Sequence, residues 1–103
     1  MLHAENKRIL EIICENTAGP QLITLARRLS ELLHHRKVEI CAAHRGISSA
    51  PALRTHLSDS ESESYWPQIR SLLRAEDLLS KCQVYVENVT TNEVSAFWPL
   101  PEN

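Results

Sequence analysis

The chain has 103 residues, an apolar share of 43%, a charged share of 23% and a formal net charge of −2, values typical of one globular domain that buries its own core. No apolar run approaches the ~20 residues needed to cross a membrane, and no basic leader precedes an apolar block, so we expect no signal peptide and a cytoplasmic location. Three widely spaced cysteines, Cys14, Cys41 and Cys82, indicate free thiols rather than a disulfide framework.

The charge is unevenly distributed along the chain. Residues 27–56 hold six Lys/Arg against two Glu, a balance of +4, and four of the five histidines. Residues 57–103 hold three Lys/Arg against eight Asp/Glu, a balance of −5. The middle third is therefore the candidate surface for an anionic partner.

Two helices are predicted in the first third of the chain. Residues 3–16 predict a helix, because Ile9, Ile12 and Ile13 recur at helical spacing. Residues 20–35 predict the clearest helix, with a continuous leucine stripe. Such a stripe suits a helix that faces the core and, as an alternative, a dimer seam.

The middle of the chain predicts shorter elements. Residues 37–43 fit either a strand or a short helix, which periodicity alone does not separate. Residues 49–57 predict a short helix that begins after Ser48. Residues 58–64 are acidic and without apolar residues, which predicts a mobile loop. Residues 65–80 predict another helix.

The period changes to two at the C-terminal end, which predicts a β-hairpin over residues 82–98. One register pairs Val84 with Trp98, and a shift by one residue pairs Tyr85 with Trp98 instead. We therefore expect a single α+β domain over residues 1–103, with four to five helices and a C-terminal hairpin. Residues 37–42 are a possible third strand.

Residues 42–48 have the pattern Ala-x-x-x-Gly-Ile-Ser. This pattern resembles the centre of a helix-turn-helix DNA-binding motif, where a small residue, a turn glycine, an apolar plug and a capping serine follow one another. The resemblance implies that 49–57 is the recognition helix and that Arg54 and His56 lie on or near its outward face. Arg45 stands where such motifs usually carry an apolar residue.

The order of the predicted elements also resembles the winged-helix DNA-binding domains. That resemblance implies that 65–80 is the recognition helix and that 82–98 is the wing. The tip of this wing carries no Lys or Arg, which removes the usual phosphate contacts. The two resemblances differ as to which helix enters the DNA groove.

Together these features predict a small non-enzymatic DNA-binding regulator of transcription. A homodimer would fit this function, because proteins that read DNA half-sites usually pair. The predicted DNA contacts are basic or histidine side chains: Arg27, Arg28, Arg36, Lys37, Arg45, Arg54 and His56. The alternative is a protein–protein interaction module, an adaptor or inhibitor of a larger complex that binds no nucleic acid. The net negative charge supports it, and its predicted anchors are aromatic: Trp66, Tyr85, Phe97 and Trp98.

We expect no metal, cofactor or catalytic site. Cys41 and His44 have the spacing Cys-x-x-His, but structural zinc normally uses two ligand pairs, and no second pair of this kind follows. No glycine-rich phosphate loop, His-Glu-x-x-His or Gly-x-Ser-x-Gly pattern occurs in the sequence.

Overall fold

A computed structural model describes residues 7–43 and 50–99 of the chain. This part of the chain forms five strands and two α-helices. In chain order they are β1 (Lys7–Cys14), α1 (Gly19–Leu32), β2 (Glu39–Ala42), β3 (Pro51–Ser58), α2 (Asp59–Ala75), β4 (Cys82–Asn88) and β5 (Val94–Trp98). A short 3-10 turn, Leu79–Lys81, leads into β4.

The five strands form one antiparallel sheet in the order β2-β3-β1-β4-β5. α1 connects β1 to the parallel strand β2 across β3, and α2 connects β3 to the parallel strand β4 across β1. This is the split β-α-β, or ferredoxin-like, arrangement, extended by β5. The arrangement serves many unrelated functions, so the function has to be argued from side chains.

Both helices lie against the same face of the sheet, as expected when two right-handed crossovers run in opposite directions. Alternate residues of the strands point to this face and form one core cluster with the helices. Its fully buried side chains are Leu10, Ile12, Cys14, Leu25, Leu29, Leu33, Leu53, Ile69, Leu73 and Val84.

α1 confirms most of the helix predicted over 20–35. Pro20 stands in its first turn, where the missing N–H is not needed, and the leucine stripe packs into the core. The helix ends earlier than predicted, because His34 and His35 have positive φ angles of 59° and 63°. Two consecutive left-handed residues cannot continue a right-handed helix. Neither α1 nor α2 is both long and apolar enough to cross a membrane.

The predicted domain of four to five helices is wrong, because the described residues contain two α-helices and a five-stranded sheet. Residues 7–14 of the helix predicted over 3–16 form β1 instead. Ile9, Ile12 and Ile13 are spaced as on a helix, but they lie on both faces of a strand. Strands covered on both faces lack the alternation that marks a half-exposed strand.

The middle of the chain also differs from the prediction. Residues 51–58 form β3 and not a helix, so a strand stands where the helix-turn-helix resemblance implied a recognition helix. Residues 59–64 are the first turns of α2 and not a mobile loop. Ser58 accepts a hydrogen bond from the Glu61 amide, and the Glu61 side chain accepts one from the Ser58 amide. This capping box satisfies two amides at the helix start.

The predicted C-terminal hairpin is present as β4 and β5. Val84 lies opposite Trp98, as in one predicted register, but Tyr85 lies opposite Ala96 because the pairing shifts between Val84 and Tyr85. The ambiguous stretch 37–43 contains strand β2. β2 pairs with β3 at the far edge of the same sheet.

Candidate interaction surface

One set of alternate strand residues points away from both helices. We call this surface the open face of the sheet. In residues 7–43 and 50–99, neither helix lies against it, and part of it forms a second, separate cluster around Ile13 and Ala52. Alternation and register assign it residues of β1 to β4 that include Ile9, Glu11, Ile13, Glu39, Cys41, Ala52, Arg54, His56, Gln83, Tyr85 and Glu87.

The strand register arranges the open face in rows that run across the sheet. In one row Cys41, Ala52 and Ile13 are neighbours on β2, β3 and β1. Ile13 is 4% exposed and Ala52 is fully buried, while Cys41 packs against them half-buried. This row gives the face an apolar region of its own, outside the main core.

The next row carries charge. Glu39, Arg54 and Glu11 are neighbours on β2, β3 and β1, and Tyr85 of β4 completes the row. The Nε of Arg54 lies 3.5 Å from Oε2 of Glu11, and the Glu11 side chain is only 4% exposed. Burying a carboxylate so far from water is costly unless a positive charge or hydrogen bonds compensate for the lost hydration. Arg54 supplies that charge from the neighbouring strand.

A groove opens at the end of the face where β2 begins. It has a volume of about 410 Å³, and basic and histidine side chains contribute much of its wall. Its lining residues are Ile9, Arg36, Lys37, Glu39, Arg54, Thr55 and His56. The groove therefore brings together four of the seven predicted DNA contacts, namely Arg36, Lys37, Arg54 and His56.

Carboxylates accompany the cations of this groove. The guanidinium of Arg36 donates two parallel hydrogen bonds of 2.7 Å to the Glu61 carboxylate, and a third bond of 3.2 Å to the His56 carbonyl oxygen. The paired Arg36 and the Ser58 amide lower the pKa of Glu61 to about 2. Lys37 Nζ lies 3.1 Å from Glu39 Oε1. Much of the positive charge in the groove is thus already neutralised within the chain.

The remaining predicted DNA contacts do not join the groove. Arg27 and Arg28 lie on α1, on the other side of the sheet, and Arg28 forms an ion pair with Glu76. Arg45 lies outside the described residues. The described contacts therefore do not form one continuous basic surface.

The four predicted aromatic anchors separate into two groups. Trp66, Phe97 and Trp98 pack, half-buried, against the core on the helix side. The Trp66 and Phe97 rings meet edge to face with centroids 5.7 Å apart, and Trp98 Nε1 donates a 2.6 Å hydrogen bond to the Leu79 carbonyl oxygen. Tyr85 alone lies on the open face, where its hydroxyl bonds the Gln83 side chain.

Sequence reasoning missed the centre of the open face, which consists of Ile9, Glu11 and Ile13. The signal for it was the nearly unbroken apolar run of β1, which predicts a strand covered on both faces. Within residues 7–43 and 50–99 no three His, Cys, Asp or Glu side chains are grouped to hold a metal ion. His44, which the zinc argument considered, lies outside these ranges.

No protein-family model, curated protein or solved structure matches this chain.

Proposed function

We propose that this chain is a non-enzymatic protein–protein interaction module that binds a partner protein through the open face of its sheet. The observation that carries the proposal is strand β1, whose Ile9, Ile13 and Glu11 occupy the face that the helices leave uncovered. An antiparallel sheet with one face in water normally places polar residues on that face. Here the centre of the face is largely apolar and includes the buried Glu11 carboxylate, which pairs with the half-buried Arg54.

The composition of this face suits a protein partner better than a nucleic acid. Protein interfaces combine an apolar centre with a polar rim, and tyrosine is enriched in them. Ile9 and Tyr85, both half-buried on the open face, supply apolar area that a partner can reach, while His56 and Gln83 are exposed beside them. Nucleic acids are held mainly through cations that reach phosphates, and the cations of the groove have carboxylate neighbours.

Site-specific photo-cross-linking in cells that produce the protein tests the proposal. A benzophenone amino acid is placed at His56 or Gln83, both exposed on the open face. The matched controls carry it at Arg27 or Gln68, both exposed on the helix side. We expect the same discrete protein adduct from positions 56 and 83, and none from positions 27 and 68.

The mass of the adduct identifies the class of partner. An adduct of two copies of this chain makes the partner a second copy, in agreement with the expected homodimer, and a different mass indicates another protein. Equal adducts from both faces, or none from the open face, contradict the proposal. An adduct that a nuclease degrades also contradicts the proposal, and would show that the open face binds nucleic acid.

A DNA-binding function is the second candidate, supported by the groove that collects Arg36, Lys37, Arg54 and His56. If the groove holds phosphate, gel-shift titrations show binding that weakens steeply with salt. Replacing Lys37 by Ala then lowers the affinity, while Lys81→Ala, an exposed lysine outside the groove, leaves it unchanged. A chain that retards no DNA at low salt contradicts this candidate.

We also propose a cytoplasmic location. Its support is chemical, since Cys14, Cys41 and Cys82 are all free, and thiols persist in reducing compartments. Fractionation of cells that produce the protein tests this.

A further inference from the structure

Two of the three cysteines lie directly opposite each other in the sheet. Cys14 ends β1 and Cys82 begins β4, and the antiparallel register pairs them without a bulge. Both side chains point to the helix side and belong to the main core cluster. Cys14 is 0% exposed and Cys82 is 5% exposed.

The hydrogen-bond pattern defines how close the two residues are. The Val89 amide donates to the Lys7 carbonyl oxygen at 3.1 Å, so Lys7 and Val89 form a hydrogen-bonded pair. Hydrogen-bonded and non-hydrogen-bonded pairs alternate along an antiparallel ladder, and Cys14 is an odd number of residues from Lys7. Cys14 and Cys82 are therefore a non-hydrogen-bonded pair, with Cα atoms about 4.5 Å apart. Disulfides span Cα separations of roughly 4.4–6.8 Å.

We propose that Cys14 and Cys82 are a site of reversible disulfide formation, oxidised by a low-molecular-weight disulfide such as glutathione disulfide. One cysteine thiolate attacks the oxidant, forms a mixed disulfide and releases one glutathione thiolate. The thiolate of the second protein cysteine then attacks the sulfur of the first protein cysteine in that mixed disulfide and releases the second glutathione as its thiolate. The two thiols lose two protons and two electrons in total, and the electrons reduce the glutathione disulfide to two thiols.

Burial controls when this reaction takes place. Burial raises the pKa of the Cys14 thiol to about 11, and burial together with the neighbouring Cys14 thiol raises the pKa of Cys82 to about 12. Thiolate is the reacting form, so both thiols react slowly in the closed fold at neutral pH. The pair stands at one end of the two strands, where strand ends open more readily than strand centres. Oxidation therefore follows opening of this end or accompanies folding.

An equilibrium measurement separates a preorganised pair from two unrelated thiols. The Cys41→Ser variant, or Cys41→Ala where serine disturbs the fold, leaves Cys14 and Cys82 as the only thiols. This variant is equilibrated in glutathione redox buffers, once in its folded state and once in denaturant. Alkylation and mass spectrometry then measure the disulfide fraction in each state. We expect the folded state to favour the disulfide at least about tenfold over the denatured state, because a cross-link that fits the fold restricts mainly the unfolded chain.

The Cys82→Ser variant is the matched control. It retains Cys14 on the helix side of β1 and Cys41 on the open face of β2, two strands separated by β3. We expect no gain in intramolecular disulfide on folding of this variant. The oxidised Cys41→Ser protein should also melt at least about 5 °C above its reduced form. An equal disulfide fraction in the folded and denatured Cys41→Ser protein, or an equal gain in the control, overturns the proposal.

Discussion

The two faces of the sheet differ in what covers them and in what they contain. The helix side is aliphatic and closed, with Leu10, Ile12 and Val84 buried under α1 and α2. The open face has an apolar row, a buried ion pair and a polar rim, with no helix of the described residues over it. The burial of a side chain therefore has different consequences on the two faces of the sheet. On the helix side it stabilises the fold, and on the open face we infer that it also prepares a surface for a partner.

The largest expected difference between the faces is in aliphatic truncation. Ile12 is 1% exposed on the helix side, and Ile12→Ala should lower the free energy of unfolding by about 2–5 kcal/mol, since it leaves a cavity. Ile9 is half-buried on the open face of the same strand, and Ile9→Ala should lower it by less than about 1.5 kcal/mol. Urea unfolding of both variants measures the two values. Equal losses would contradict the partial exposure of Ile9 on the open face.

The ion pair at the centre of the open face should respond asymmetrically to truncation. Arg54→Met leaves the Glu11 carboxylate buried without its cation, and should cost about 2–4 kcal/mol. Glu11→Gln leaves Arg54, whose side chain is 23% exposed and reaches water, and should cost about 1 kcal/mol. Denaturant unfolding at neutral pH measures both costs. A larger loss for Glu11→Gln would show that Arg54 is the more deeply desolvated partner.

The Arg36–Glu61 pair at the edge of the open face predicts a dependence on pH. The pKa of Glu61 is about 2 in the folded protein against an ordinary value of 4.5. A carboxylate whose pKa is lower in the folded protein stabilises the fold at pH values above its ordinary pKa. This stabilisation is lost as the pH falls towards 2. Glu61→Gln should therefore cost about 1 kcal/mol at pH 7, and this cost should decrease between pH 4.5 and pH 2.

The matched control for this prediction is Glu63→Gln, an exposed carboxylate on the same helix. Its cost should be small, because substitutions of exposed surface side chains change the free energy of unfolding little. Thermal unfolding of both variants over the pH range provides the comparison. A cost for Glu61→Gln that stays constant down to pH 2 would contradict the role of the ion pair.

The smallest expected effect on stability belongs to Tyr85. Tyr85→Ala removes a half-buried side chain from the open face and should lower the free energy of unfolding by less than about 1 kcal/mol. It should nevertheless abolish the cross-link obtained from position 56. Trp98→Ala, on the helix side, should cost more, because it also leaves the Leu79 carbonyl oxygen without its indole donor. Circular dichroism melts and cross-linking yields test both variants.

The sequence predicts correctly the elements whose hydrophobic pattern fits only one type of secondary structure. The leucine stripe of α1 and the alternation in β4 and β5 identify a helix and a hairpin. β1 was missed because residues 9–14 are almost all apolar, so no period separates strand from helix. The polarity of residues 58–64 predicts a loop and so conceals the start of α2, although Ser58 and Glu61 have the spacing of a capping box.

The candidate site was only partly predictable for a different reason. The fold brings several side chains of the basic middle third, including Arg36 and Arg54, into one groove. Their carboxylate partners, Glu61 and Glu11, lie far away in sequence and come close only through the sheet and the start of α2. Charge counted along the chain therefore overestimates the charge that a ligand meets.

The most direct test of the open face compares the two tyrosines of the chain. Tyr85 lies on the open face and Tyr65 on the helix side, and both are half-buried. Hydroxyl-radical footprinting measures the modification of each tyrosine in the purified protein, diluted until it is monomeric, and in cells that produce the protein. The account predicts that Tyr85 is protected several-fold more in cells while Tyr65 is unchanged. Equal modification of Tyr85 in both conditions, or equal protection of the two tyrosines, would contradict it.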